Sequence, residues 1–420
     1  MILHRAGSST LIFFLCLWAW LFPLQLIHAH EPDQSPTELI KNGGFVVTSK
    51  GTINNQFNSH SPFVPASIIK IATSLVALEL LGSSFHYKTE FFLKDETKLY
   101  IKGYGDPFLS SEYISDIARE LRNRNISHID EIVIDGSSFS IPAPADGTEG
   151  TDNPYDVPNS ALAVNFNTLS IQVNKDRSVV SGEPQTPLLE LAQFIGSQLE
   201  PGRHRVNVSA FDTYKSDDNS LRYTGELFAA FLTREGVTVR DNIRSGLVDD
   251  SCMLIYSFTS PKSVMELVKD CLEFSNNFIA NQLFLSCGTT LFGYPATWEK
   301  GRRAIVSTLE KNFSINCHTI KIQEGSGLSR QTRVTPFFML TVLHAFRPYR
   351  LLLPRKNGMN IKSGTLTDVY TYAGYFNSPE SADPFVIMLN QTENSRERVL
   401  ESLHINYRQS EQIKGSSNSE

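Results

Sequence analysis

The sequence predicts an α/β protein whose main domain is assembled from both ends of the chain, with a β-rich domain inserted between them. Three observations carry this. A hairpin and a strongly helical run near the N-terminus are followed by a long stretch of alternating, strand-like segments. Helical periodicity then returns, and three strand-like runs close the chain. At 420 residues the chain also exceeds the roughly 250–300 that one hydrophobic core usually sustains. A hydrophobic content of 41% and a charged content of 20% are those of an ordinary globular protein.

Taken in order, Arg5 precedes the apolar run LIFFLCLWAWLFPLQLI, which ends at His28-Ala29-His30. This is the pattern of a secretory signal over residues 1–29, cleaved near Ala29. At about 17 residues the run is at the short edge of a membrane span, so an uncleaved anchor or a peripheral membrane association is the alternative. Cys16 lies within it but lacks the small residues that a bacterial lipidation site needs ahead of the cysteine. Phe45-Val46-Val47 and a turn at Lys50-Gly51 predict a hairpin over 45–57. The stretch PASIIKIATSLVALELLG follows; Ile68, Ile69, Ile71, Leu75, Leu78 and Leu81 recur at helical spacing between Pro65 and Gly82.

Alternation takes over from about Phe85 in YKTEFFL, KLYIKGY and EIVIDGSSF. A loop-like Pro/Gly/Asp-rich stretch comes next, then LSIQVN and HRVNVS, which sets the inserted domain at 85–257. Helices are expected at SVMELVKDCLEF, NNFIANQLFLSC and about 297–312, and strands at MNIKSGTL, VYTYAGYF and DPFVIMLN. A last helix over about 394–405 leads to a polar tail, 409–420, expected to be disordered. The main domain is thus 30–84 together with 258–408.

Without the signal the chain carries 37 basic and 44 acidic residues, since Arg5 is the one charged residue of Met1–Ala29. That mild acidity excludes a nucleic-acid partner, which requires a basic footprint. The four remaining cysteines, Cys252, Cys271, Cys287 and Cys317, contain no Cys-x-x-Cys. Export permits disulfides, and pairing or buried thiols are both open. With no His-Glu-x-x-His and ten scattered histidines, neither a metal nor another cofactor is expected.

Three short motifs carry chemistry. Ser67 and Lys70 form the chain's only Ser-x-x-Lys. Three residues apart on a helix they share one face, with Cβ atoms about 5–6 Å apart, so the amine can reach the hydroxyl and activate it. Alone, the pair reads first as an N-capping serine followed by a surface lysine. Ser275-Asn276-Asn277 interrupts a helical run and predicts a turn, with Ser275 or Asn276 capping the next helix. Lys362-Ser363-Gly364-Thr365 ends a strand-like run, where Gly364 keeps the surface low enough for another backbone to approach.

The order Ser-x-x-Lys, Ser-x-Asn, Lys-Ser-Gly resembles the motif set of β-lactamases and penicillin-binding proteins. PASIIK, LYIKGYGDPFL, IVIDGSSF, YDVPNSALAVNFNTLSIQV, EGSGLSR, KSGTL and TYAGYF are together similar to the class C low-molecular-mass penicillin-binding proteins, the D-alanyl-D-alanine carboxypeptidase/endopeptidases. The resemblance runs from about residue 45 to about residue 390. It departs in Asn276, where the family has Asp, and in Ser363, where it has Thr.

The resemblance implies a β-lactamase/transpeptidase-like domain, an antiparallel sheet flanked by helices. It implies a serine peptidase acting on peptidoglycan stem peptides in the bacterial periplasm or cell envelope, with β-lactam antibiotics as covalent inhibitors. Ser67 would be the nucleophile, Lys70 its base and Ser275 a proton relay. Asn277, Lys362, Ser363, Gly364 and Thr365 would bind substrate. Burial and the charge of Lys362 are the two means by which Lys70 could be kept neutral. Asp106 reads as a turn former, and Glu324 and Ser326 as rim residues of the site. A β-lactamase or esterase with the same nucleophile, or a catalytically silent wall-binding protein, are the competing readings.

Overall fold

The structure, a computed structural model, describes residues 35–216, 218–377 and 382–416. The expected signal segment lies outside them. The chain enters through a hairpin, β1 (Gly43–Ser49) and β2 (Thr52–Phe57), whose turn residues Lys50 and Gly51 both take positive φ. A 3-10 turn, Ala66–Ile69, then leads into α1 (Lys70–Leu80). The expected helix therefore begins one turn later in its α form, leaving Ser67 in the tighter turn.

The insert comprises β3 (His86–Lys94), β4 (Lys98–Gly103), α2 (Ser111–Asn123), β5 (His128–Ile129), β6 (Glu131–Asp135), β7 (Thr168–Val173), β8 (Val179–Ser181), α3 (Glu190–Ser197), β9 (Gly202–Asn207), α4 (Asn219–Arg234), β10 (Thr238–Val239), β11 (Ile243–Ser245) and β12 (Met253–Ser263). The sheets are there as expected. Helices α2, α3 and α4, with their own apolar stripes, also pack into the insert's core, and the expected reading lacked them. Its main sheet has the order β11-β6-β4-β3-β12, with β4, β6 and β11 parallel and α2 and α4 packed together at their side. Strand β12 runs through the expected junction at 257/258 and pairs with β3.

The chain then returns through α5 (Val264–Glu273), α6 (Asn277–Phe292), α7 (Trp298–Phe313) and α8 (Pro336–Phe346) to β13 (Arg355–Lys356), β14 (Met359–Leu366), β15 (Val369–Asn377), β16 (Ala382–Leu389) and α9 (Arg396–Ser416). Helix α9 extends through much of the stretch expected to be a disordered tail; Val399, Leu400, Leu403 and Tyr407 pack its N-terminal half against the sheet. The sheet order β13-β14-β15-β16-β1-β2 joins both ends of the chain in antiparallel pairing, β1 beside β16. One face carries α9, and the other a larger core built from α1 and α5 to α8.

Helix α1 explains itself from its sequence. Its residues are apolar on every side, so it is stable only when surrounded by other elements. Lys70 to Leu78 are all buried, among α5, α6, α7 and α8. The first residue of that core helix is a lysine, and its burial has chemical consequences. Among the described residues, no strand pairs with the outer edge of β14 beyond Asn360, because β13 meets only Met359 and Asn360. Among the described residues no helix is long and apolar enough to cross a membrane.

Candidate active site

A cleft of about 710 Å³ opens where the start of α1, the α5–α6 turn and the end of β14 meet. Ser67, Ser275, Asn277 and Thr365 line it, so side chains from three distant parts of the sequence converge there. Two residues beside it hold left-handed backbone, Ala66 at φ 48° and Ser275 at φ 54°. Such conformations cost a non-glycine residue about 1–2 kcal/mol, and here packing enforces both. Gly364 is what lets β14 come close. A Cβ there would meet the Ser67 amide nitrogen at 2.8 Å and the Pro65 carbonyl at 2.9 Å. The backbone admitted by this glycine is thus that of the Ser67 turn itself.

Lys70 is fully buried, with Nζ 3.0 Å from Ser67 Oγ. It donates to Asn277 Oδ1 at 2.7 Å and to the Ser326 carbonyl at 2.6 Å. Its pKa is lowered to about 8, chiefly by burial, with the Lys362 charge pushing the same way and Glu324 opposing. Both expected means of depression are present, and burial leads. Cys271 lies nearby, but burial pushes its thiol up to about 11. It is uncharged where Lys70 titrates and does not hold the ammonium.

Lys362, 2% exposed, donates to Ser275 Oγ at 2.9 Å and to the Ser363 carbonyl at 3.1 Å. Burial lowers its pKa to about 8 as well. Ser363 comes next on the strand and points its side chain to the opposite face, exposed. The structure therefore gathers Ser67, Lys70, Ser275, Asn277, Lys362, Gly364 and Thr365. Thr365, two residues further on, shares the exposed face of Ser363 and lines the cleft. Asn276 turns away to cap α6, its Oδ1 accepting from the Ile279 amide at 2.9 Å.

Two expected rim residues are in fact interior. Glu324, with no exposure, accepts from the amides of Ser326 (2.7 Å), Gly327 (2.7 Å) and Ser329 (3.2 Å) and from Ser326 Oγ (2.5 Å). It closes the 324–329 loop on itself and so aims the Ser326 carbonyl at Lys70. Acid–Gly–Ser–Gly patterning marks a tight loop, but no side-chain signal marks a carbonyl. The sequence reading missed that contact for this reason. Asp106 is likewise buried and accepts from the Phe108 amide at 2.8 Å, as a turn former does; burial raises its pKa to about 6. All four described cysteines are free thiols.

A hydroxyl beside a desolvated amine, set at the open edge of an antiparallel sheet, is the working arrangement of penicillin-interacting serine peptidases. The comparisons agree: this is a serine-type D-Ala-D-Ala peptidase. The chain belongs to the D-Ala-D-Ala carboxypeptidase 3 (S13) family, which it matches over residues 33–354. A D-alanyl-D-alanine carboxypeptidase from Actinomadura sp. (strain R39) is 23% identical over 396 residues, covering 78% of this chain and 73% of the relative. The D-alanyl-D-alanine carboxypeptidase DacB of Haemophilus influenzae is 23% identical over 338 residues, covering 72% of this chain and 70% of the relative. The crystal structure of penicillin binding protein 4 from Haemophilus influenzae superposes with a TM-score of 0.72 at 18% identity, covering 90% of this chain and 98% of that one. Its complex with a β-lactam gives 0.68.

Proposed function

We propose that this chain is an exported DD-peptidase that cleaves peptidoglycan stem peptides through an acyl-enzyme on Ser67, and that β-lactams arrest it there. The observation that carries the proposal is the set of contacts around Lys70 Nζ. A neutral amine has two N–H groups and one lone pair. Asn277 Oδ1 and the Ser326 carbonyl are acceptors and take the two hydrogens. The lone pair is left for the third neighbour, the Ser67 hydroxyl, which donates its proton as its oxygen attacks the carbonyl of the penultimate D-alanine.

The same arithmetic assigns Ser275. A charged Lys362 donates to Ser275 Oγ, so the serine's own hydrogen faces elsewhere and passes to the leaving amine as Ser275 takes a replacement proton from the Lys362 ammonium. Backbone N–H groups of Ser67 and Thr365 would hold the oxyanion, a stabilisation of about 3–4 kcal/mol per donor in other enzymes. Asn277 turns its amide nitrogen toward the substrate backbone, and Lys362 and Thr365 receive the terminal carboxylate. Water then hydrolyses the ester. Residues 1–29 serve as the export signal.

Labelling of the purified protein with a fluorescent penicillin tests this. A stable covalent adduct is expected, absent in Ser67→Ala. A label that persists in Ser67→Ala sinks the mechanism, and rapid release of opened penicillin indicates a β-lactamase instead. Mass spectrometry of products from uncrosslinked and crosslinked muropeptides then separates carboxypeptidase from endopeptidase action.

A further inference from the structure

The end of β14 that faces the substrate is held by a residue from the last helix. Arg396, the first residue of α9, sends one guanidinium nitrogen to the Gly364 carbonyl at 2.9 Å, to Thr365 Oγ1 at 3.2 Å and to the Thr371 carbonyl at 3.2 Å. Its planar group lies 4.2 Å over the Tyr372 ring, on the face of the sheet that α9 covers. The arginine is thus fixed from three sides: by a stacked ring and by carbonyls of two neighbouring strands. It lies beyond residues 33–354, the part of the chain that matches the family, and the sequence offered no motif for it.

We propose that Arg396 is a positioning residue that orients the Thr365 hydroxyl as a donor to the substrate's terminal carboxylate. The inference rests on the proposed function, in which Thr365 meets that carboxylate. A guanidinium has donors only, so in this contact Thr365 Oγ1 accepts. Its own hydrogen must therefore point away from Arg396, and Thr365 is among the residues that line the cleft. A hydroxyl turned this way offers a donor to an anion and no hydrogen to a cation or to another donor. The fixed positive charge behind it polarises the O–H and favours a negative partner, the setting in which hydrogen bonds are short and strong. A peptide ending in a free carboxylate gains from this arrangement. One ending in an amide, whose nitrogen is a donor, gains little.

The test compares steady-state kinetics on an acylated peptide ending in D-Ala-D-Ala with those on the same peptide carrying a C-terminal amide. For Arg396→Ala, KM for the free acid is expected to rise about tenfold or more, the loss typical of a hydrogen bond to a charged group, with kcat nearly unchanged. Efficiency on the amide is expected to change little. Arg396→Lys keeps the charge without the fork and is expected to fall between. Thr365→Val is expected to reproduce the loss, and the double variant to be no worse than either single one, since the two act as a unit. Equal losses on acid and amide, an unchanged KM, or additive losses in the double variant would each overturn the proposal. If Arg396→Ala does not fold, Arg396→Lys and Thr365→Val decide by the same criteria. A wild-type protein unable to cleave the free acid would instead refute the underlying peptidase reading.

Discussion

Acylation of Ser67 is expected to trace a narrow bell against pH, centred near pH 8. Lys70 must be neutral to take the serine proton, and Lys362 must be charged to hold the carboxylate and orient Ser275. Both have pKa values lowered to about 8. At pH 8 about a quarter of molecules then have both groups in the required state, and at pH 7 or pH 9 about a twelfth. At pH 6 the fraction falls to about a hundredth, because neutral Lys70 declines tenfold per unit. Had Lys70 kept its ordinary value of 10.5, only about one molecule in three thousand would carry a neutral amine at pH 7. Burial and the Lys362 charge thus make the base about 300-fold more available, equivalent to about 3 kcal/mol. The assay is the second-order rate constant for acylation by a fluorescent penicillin in stopped flow, from about pH 6 to about pH 10, with Ser67→Ala as the blank. Lys362→Met is expected to react more slowly throughout and to lose the alkaline limb. Its acid limb should move slightly to higher pH, because the charge it removes is a lesser cause of the Lys70 shift than burial. A wild-type rate that is flat between pH 6 and pH 8 would refute Lys70 as the titrating base.

Other perturbations probe the supporting structure. Gly364→Ala places a Cβ 2.4 Å from Thr371 Oγ1 and 2.8 Å from the Ser67 amide. The strand must shift, so thermal unfolding should show a loss of about 1–3 kcal/mol, and acylation should fall by about a hundredfold. Glu324→Gln sets an amide NH₂ against the donors that the carboxylate now accepts from, costing about 2 kcal/mol or more in chemical denaturation. Acylation should fall with it as the Ser326 carbonyl drifts from Lys70. Lys70→Met isolates the stability linked to the buried amine. Unfolded Lys70 keeps its proton up to its ordinary value, whereas the folded group releases it near pH 8. Wild-type stability relative to the variant should therefore be constant below pH 8 and rise by about 3 kcal/mol as pH climbs toward 10.5. A difference that falls over that range would show that burial does not depress this lysine.

Much of the fold was legible because its elements carry strong local signals. The β1–β2 hairpin shows its turn in Lys50-Gly51, and α5 to α7 show apolar periodicity. The helices of the insert were harder to read. SEYISDIARELRN in α2 has an amphipathic pattern, but it lies among strand-like runs that set the expectation for the whole region. The α9 extension was missed because its last turns are polar in sequence and carry no apolar stripe to mark a helix.

The site divides along a different line. Residue order and helical spacing alone determined that Ser67 and Lys70 share a face, that Ser275-Asn277 forms a turn, and that Lys362 to Thr365 end a strand. These are local properties, written in backbone geometry that neighbouring residues fix. Only the tertiary structure decided that Lys70 is desolvated, since this depends on the helices closing around α1. Only it supplied the Ser326 carbonyl, the Glu324 brace behind it, and Arg396 reaching Thr365 from 31 residues away. A carbonyl is common to every residue and an arginine at a helix start is ordinary. Their chemistry comes from what the fold sets beside them.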